Sequence, residues 1–335
     1  MIIDAYTHGF HGGYLEQLED AGGHWAKERT ANARKRAIRR PVYLDVSQRL
    51  EQLTRNNIDM QVVAPSSHMN PNLLPGDASA QLALARALND NMARLMEDSN
   101  GRLLTIGTAP IVNFEQGGRQ EMERAIRTLG LKAITLPSNI FGRPIDLPEF
   151  EPFWAQATDM GVPVYIHPEN PAGRTDRSYE AEYDLTHNFG WPFETALILS
   201  RLVFSGIMER YPTLKIVNHH LGGGMIPFFW GRINETYNPD DLEEKLGHVL
   251  PKPLFDYFSR FYYDTAVGGS ASAIRCAYEV FGADQLIFAT DAPNGPGTGE
   301  MRLATYPNVI RSLGLPEEDN KKIFEGNVRI ILNLT

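Results

Sequence analysis

Cysteine is almost absent: Cys276 is the single one among 335 residues. A disulfide within the chain is therefore excluded, and a reducing compartment fits. No apolar run approaches the ~20 residues that a membrane-spanning helix needs. The start, Met1-Ile2-Ile3, has no charged segment followed by an apolar one. No secretory leader is read there, and the cytoplasm is the expected location. Positive charge is also scarce: 32 Lys and Arg against 41 Asp and Glu leave a net charge of -9. A nucleic-acid binder would concentrate basic residues on one face. The one basic cluster, Arg34-Lys35-Arg36 with Arg39-Arg40, is short. It reads as a solvated loop or a contact between subunits. No G-x-G-x-x-G follows a strand, and Gly222-Gly223-Gly224 lacks that spacing, which argues against a dinucleotide-binding open sheet. Linkers, repeats and low-complexity tracts are missing too, so one domain over residues 1–335 is expected.

What is present is a regular alternation. Hydrophobic residues make up 42% and charged residues 22%, enough for a full core. Apolar, β-rich stretches cover residues 2–5, 60–64, 103–106, 133–136, 162–166, 215–218, 261–264 and 286–289. Helical patterns separate most of them, as at 79–96, 120–129, 194–208 and 270–281. Alternating β and α units imply parallel strands with crossover helices. Eight units with continuously apolar strands predict a closed (β/α)8 TIM barrel. Two segments read as insertions, at about 9–44 and 168–191, and both follow the C-terminal end of a strand. Loops on that side carry function.

Four of the strands stop at histidine or aspartate: at His8, at His167, at His219-His220 and at Asp291. Residues so far apart in sequence form no local metal motif. On parallel neighbouring strands, however, their C-terminal ends converge on one site. His8, His167 and Asp291 are the candidate metal ligands, because imidazole and carboxylate suit zinc, with manganese or iron as alternatives. His220 precedes a glycine-rich turn that lets backbone pass close to a ligand, and it is a candidate proton carrier. His219 points to the opposite face and is expected to pack or to support the site. Asp264 could orient a histidine or cap a helix. Trp191, at the end of the second insertion, is a candidate wall of an aromatic pocket. Arg232 either ion-pairs or reaches substrate across a dimer.

These residues stand in a set of motifs: Ile2-Ile3-Asp4-Ala5-Tyr6-Thr7-His8, Tyr165-Ile166-His167-Pro168, Gly190-Trp191-Pro192-Phe193-Glu194-Thr195, Glu209-Arg210-Tyr211-Pro212-Thr213-Leu214-Lys215, His220-Leu221-Gly222-Gly223 with Gly231-Arg232, and Thr290-Asp291-Ala292-Pro293. In this order they resemble the amidohydrolase-related family that includes aminocarboxymuconate-semialdehyde, γ-resorcylate and 5-carboxyvanillate decarboxylases. The resemblance implies a metal-dependent barrel. It implies His8, His167 and Asp291 as ligands, and His220 as a catalytic or metal-proximal histidine. Arg49 looks like the arginine that holds the substrate carboxylate, a role suited to a bidentate guanidinium. One departure stands out. The family usually begins with His-x-His or Glu-x-His, and here Tyr6 takes the first place. Tyr6 is expected to contact substrate as a neutral phenol, with direct ligation of the metal as the alternative.

The expected activity is a metal-dependent, non-oxidative decarboxylation of a small aromatic or unsaturated cyclic carboxylic acid, with Asp291 or His220 moving the proton. Zinc is the expected cofactor and manganese the alternative. A hydrolase of lactones, amides or carbon–carbon bonds on the same scaffold is the second reading. A barrel without metal, which only binds its ligand, is the third. The expected partner is a small carboxylate, with no nucleic acid and no membrane, and the chain is expected to form a homodimer or larger homo-oligomer.

Overall fold

Eight short parallel strands carry the architecture: β1 Ile3–His8, β2 Met60–Ala64, β3 Leu103–Thr105, β4 Ile134–Pro137, β5 Val164–His167, β6 Ile216–Asn218, β7 Tyr262–Asp264 and β8 Leu286–Ile287. They are seen in a computed structural model that describes residues 1–66, 69–169, 183, 185–220, 222–238, 243–244 and 250–334. Ladder pairing runs β1-β2-β3 in one sheet and β8-β7-β6-β5-β4 in another. Individual backbone contacts span the two seams between these sheets. Gly107, just after β3, bridges to Ile134. Ala5 N–H donates to Phe288 O at 2.8 Å, and His8 N–H to Ala292 O at 2.7 Å. The fold is the (β/α)8 barrel that the alternation predicts, and all eight strands fall where the apolar stretches lie.

Each strand is short and buried on both faces, because helices cover the outside while side chains fill the inside. Ile3, Ala5, Tyr6, Val62, Leu104, Tyr165, Val217 and Ile287 belong to one buried cluster, which the C-terminal helix Asn327–Leu332 joins through Val328 and Ile331. β1 is irregular. Its register against β2 shifts between Asp4 and Thr7, so both Ala5 and Tyr6 enter that cluster. Such a bulge re-aims side chains at a barrel rim, here Tyr6 and His8.

The first insertion is the helix Gly13–Arg39, broken at Gly23 (φ 56°, ψ -141°), followed by the turn Pro41–Tyr43. The second lies mostly outside the described residues. Its end forms a wide helical turn, Thr186–Gly190, and Trp191 begins the helix Trp191–Phe204. A small hairpin, Asn139–Ile140 against Arg143–Pro144, was not expected: its strands are too short for a periodic pattern.

Asp4 ties the β1–β8 seam. Its fully buried carboxylate accepts from Thr290 N–H at 2.9 Å, Thr290 Oγ1 at 2.6 Å and Gln61 Nε2 at 3.0 Å. Burial outweighs these bonds and pushes the carboxyl up to about 7. The folded state therefore holds a proton that the unfolded chain releases near pH 4, and stability falls as pH rises between them. We predict that wild type loses up to ~4 kcal/mol relative to Asp4→Asn between about pH 4 and 7, since each pKa unit is worth about 1.4 kcal/mol. Urea midpoints of both proteins across that range measure it. A gap that does not change with pH would sink the assignment.

Candidate active site

The strand ends deliver their polar residues to one rim. His8 ends β1 and His167 ends β5. His219 and His220 follow β6, and Asp291 lies four residues after β8. His8, His167, His220 and Asp291 line one cavity of about 690 Å³ with Trp191, Arg302, Arg36 and Arg40. Convergence at the C-terminal ends is what parallel strands impose. His220 and Asp291 each adopt a left-handed backbone, both with φ 61°. Such conformations are costly for side chains other than glycine and cluster where a site needs them.

The donors pair at short range. His8 Nε2 stands 3.3 Å from Asp291 Oδ1, and His167 Nε2 stands 3.4 Å from His220 Nε2. The His8 and His167 rings are 5.6 Å apart. His167 Nδ1 donates to Pro168 O at 2.6 Å, which leaves Nε2 unprotonated and facing inward. Among the described residues no three His, Cys, Asp or Glu side chains are already gathered for a cation. The observed pairs nevertheless have the right spacing: two ligands about 2.1 Å from one tetrahedral ion stand about 3.4 Å apart. Around them, His8 Nδ1 and His219 Nε2 are buried without a hydrogen-bond partner. Two imidazoles facing each other through Nε2, with a carboxylate beside a third, form a donor set that fits zinc or manganese.

Electrostatics set the resting charges. Burial alone would raise the Asp291 carboxyl. The fields of His220, His8 and Arg302, with the His8 hydrogen bond, outweigh it and hold the group well below the usual carboxylate range. Arg302 Nη1 lies 2.8 Å from Asp291 Oδ2, and Asn294 Nδ2 donates to Oδ1 at 3.0 Å. Gly295 permits this: a Cβ there would collide with the Arg302 guanidinium, and its φ of 93° is left-handed. Burial pulls the His220 imidazole down more than Asp291 and Asp264 lift it, so it rests neutral.

Asp264 orients the histidine pair. Its Oδ2 lies 3.2 Å from His219 Nδ1 and accepts from His220 N–H at 3.2 Å, while Oδ1 accepts from Ala266 N–H at 3.0 Å. Replacing a residue that orients ligands typically costs 10–100-fold in metal affinity or activity. We predict a loss of that size in activity for Asp264→Asn, which positions His220, read as the rate constant kcat. An unchanged constant would reduce Asp264 to a turn-forming residue.

Several expectations are corrected. Arg49 is buried away from the cavity. Its Nε donates to Val42 O at 3.1 Å, its Nη1 to Gln61 Oε1 at 3.2 Å and Thr7 Oγ1 at 3.3 Å, and its Nη2 to His8 O. Those donors hold β1 in place, so Arg49 is not the carboxylate clamp. Tyr6 is fully buried and does not line the cavity, and its hydroxyl is buried without a hydrogen-bond partner. Its ring stacks on His219 with centroids 3.2 Å apart and meets His8 edge-on at 4.9 Å. Burial first, then the Asp291 and Asp264 carboxylates, push its hydroxyl well above the usual phenol range, so it stays a phenol. Arg232 is exposed on a different, apolar groove between the helices Trp191–Phe204 and Gly222–Thr236, away from the site. Trp191 does reach the cavity, stacked 5.6 Å from His220 and edge-on to His167 at 5.4 Å.

Other residues went unnoticed. Arg302 lies 11 residues beyond Asp291, inside the next helix, and carries no sequence signal of its own. Tyr43 donates to Asn294 Oδ1 at 2.5 Å and so supports the Asp291 loop. Arg36 and Arg40 belong to the basic cluster read as solvated, yet they line the cavity. Only the path of the long inserted helix reveals that.

Comparison with known proteins bears on the family and the fold. A family model described as amidohydrolase matches residues 11–334. The 2-amino-3-carboxymuconate-6-semialdehyde decarboxylase of Dictyostelium discoideum is 31% identical over 251 residues, covering 74% of this chain and 67% of that protein. The crystal structure of 5-carboxyvanillate decarboxylase from Sphingomonas paucimobilis superposes with a TM-score of 0.84 at 25% identity, covering 100% of this chain and 99% of the other. A 5-carboxyvanillate decarboxylase from Novosphingobium aromaticivorans, complexed with manganese and 4-hydroxy-3-methoxy-5-nitrobenzoic acid, shares the fold with a TM-score of 0.84 at 23% identity, covering 100% and 96%.

Proposed function

The chain belongs to the amidohydrolase family, and from that premise we propose that this enzyme is a metal-dependent, non-oxidative decarboxylase of a small aromatic or unsaturated cyclic carboxylic acid. The observation that carries the reading is the His8–Asp291 and His167–His220 pairing at ligand spacing inside one cavity. The decarboxylase activity named for the Dictyostelium and Sphingomonas proteins supports the reaction type. Nothing in the site favours the hydrolase alternative over it, and the donor set weighs against a barrel that only binds.

His8, His167 and Asp291 would hold the cation, with zinc first and manganese second. A bound divalent cation supplies Lewis-acid polarisation and a fixed anchor for a substrate oxygen. The reaction exchanges carboxylate for hydrogen: the carbon–carbon bond breaks to release CO2, and a proton takes its place on carbon. Asp291 is ionised at rest, so it must first accept a proton before passing one to carbon. Neutral His220, facing the same space, is the partner that can relay it. Trp191 stacks on His220 and walls this corner of the cavity.

A second subunit would suit the exposed aromatic surface beside Arg232, where Phe228 is 74% exposed and Phe193 and Phe229 are 40% exposed. Sedimentation at micromolar concentration reads that directly. No helix among the described residues is long and apolar enough to cross a membrane. With one cysteine in the chain, the cytoplasm is the compartment we assign.

The deciding experiment pairs elemental analysis with a CO2-release assay on a panel of aromatic acids, alongside lactones and amides. One equivalent of zinc or manganese with CO2 release from an acid is expected. Metal with acid release from a lactone or amide would replace the reading by the hydrolase. A protein without metal or turnover would overturn it.

A further inference from the structure

The catalytic cavity does not end at Trp191. It adjoins a second cavity of about 470 Å³, and the two share Arg36, Arg40 and Ser66 as a common wall. The second chamber is basic: among the described residues Arg29, Lys35, Arg36, Arg39 and Arg40 line it, with Glu28 the acidic one. In a chain of net charge -9, five cations around one hollow are unusual. Placing basic residues in the last turn of the helix Gly13–Arg39 complements its dipole, which accounts for Arg36 and Arg39 being basic. It does not account for their facing a hollow that opens onto the histidines.

Their pairing is equally telling. Elsewhere on this helix Arg34 is closed onto Glu19. Among the described residues no carboxylate lies within ion-pair distance of Arg36 or Arg40. Among the described residues Arg40 Nη2 reaches a backbone carbonyl, Gly295 O, at 3.4 Å. Both cations lie near Tyr43, whose hydroxyl bonds Asn294 and through it the Asp291 loop. Cations held at a cavity wall without a carboxylate are the arrangement that binds an incoming oxyanion.

We propose that the inserted helix forms an anion annex: the substrate carries a second oxyanion, on an arm away from the reacting carboxylate, and Arg36 and Arg40 bind it. The proposal rests on the decarboxylase reading for which end of the substrate meets the histidines. It names the other end. The reacting acid sits at His8, His167, His220 and Asp291. The distal group, a carboxylate or phosphonate-like oxyanion, spans the shared wall.

Calorimetric titration of the purified metal-loaded protein tests this without turnover. The probes are benzoate, 4-(2-carboxyethyl)benzoate and 4-(phosphonomethyl)benzoate. Either armed dianion should bind at least about tenfold more tightly than benzoate, the gain expected from one charge-assisted contact. Arg36→Gln/Arg40→Gln should abolish that advantage. Arg232→Gln, on the remote groove, should keep it. Equal affinity of all three probes for wild type overturns the annex, and that comparison needs no variant. An advantage that survives the double substitution overturns it as well. Whether carboxylate or phosphonate binds better tells the two oxyanion sources apart. If the annex binds as expected but no acid releases CO2, the decarboxylase reading fails and the annex stands. If CO2 is released and the probes do not differ, the reverse holds.

Discussion

His167→Ala is expected to strip the bound cation and to lower kcat by about 10³-fold or more. The residue sits at the centre of the site. Its Nε2 faces His220 at 3.4 Å, and its Nδ1 is tied to Pro168 O, so the ring cannot turn its lone pair elsewhere. With His8, His167 and Asp291 holding the cation as proposed, the variant would lose one of three protein ligands. Losing Lewis-acid polarisation is worth several kcal/mol of the barrier, and each 1.4 kcal/mol is about tenfold in rate. Metal per protomer, measured together with kcat, checks both halves. If the variant keeps a full equivalent of metal, His167 is not a ligand. If it loses the metal yet turns over normally, the cation is not part of the chemistry.

Arg49→Leu should cost about 3 kcal/mol of stability or more. Four acceptors around the guanidinium would be left buried: Val42 O, Gln61 Oε1, Thr7 Oγ1 and His8 O. Each unsatisfied buried group costs about 1–3 kcal/mol. Part of this is returned, because the variant no longer buries a charge: burial pulls the guanidinium down to about 10, against the pull of Tyr43 and Asp4. The prediction separates two roles. A residue clamping a substrate carboxylate would raise KM and leave the urea midpoint alone. A residue bolting β1 to its neighbours would lower the midpoint at unchanged m. We expect the second result, with any change in activity following from a displaced His8. A raised KM in a fully stable variant would restore Arg49 to the substrate site.

These two residues mark the line between what could and could not be read along the chain. His167 closes an apolar, β-branched run, and runs of that kind recurring between helical patterns already imply parallel strands. The convergence of His8, His167, His220 and Asp291 follows from that topology alone, because every such strand presents its C-terminal end to the same rim. Arg49 shows the opposite case. It sits on the short helix Val46–Arg55, where one face packs on the barrel and the other looks to solvent or to the site. Which way a long side chain leans is settled by neighbours distant in sequence, here Thr7 and Gln61. Tyr6 is a mixed case. Period-two alternation puts it beside His8, where it stands, but its stacking on His219 depends on a neighbour distant in sequence.

Composition and periodicity by themselves determined that this protein is a (β/α)8 barrel with its polar strand ends gathered on one face, because burial and strand alternation are local properties written residue by residue. The tertiary structure alone decided that Arg302 pairs with Asp291, that Tyr6 stacks on His219, and that Arg36 and Arg40 line a basic chamber beside the histidines. Those outcomes depend on contacts between segments as distant as Arg40 and Gly295. Such contacts exist only once the chain has closed on itself, and no local pattern encodes their distances.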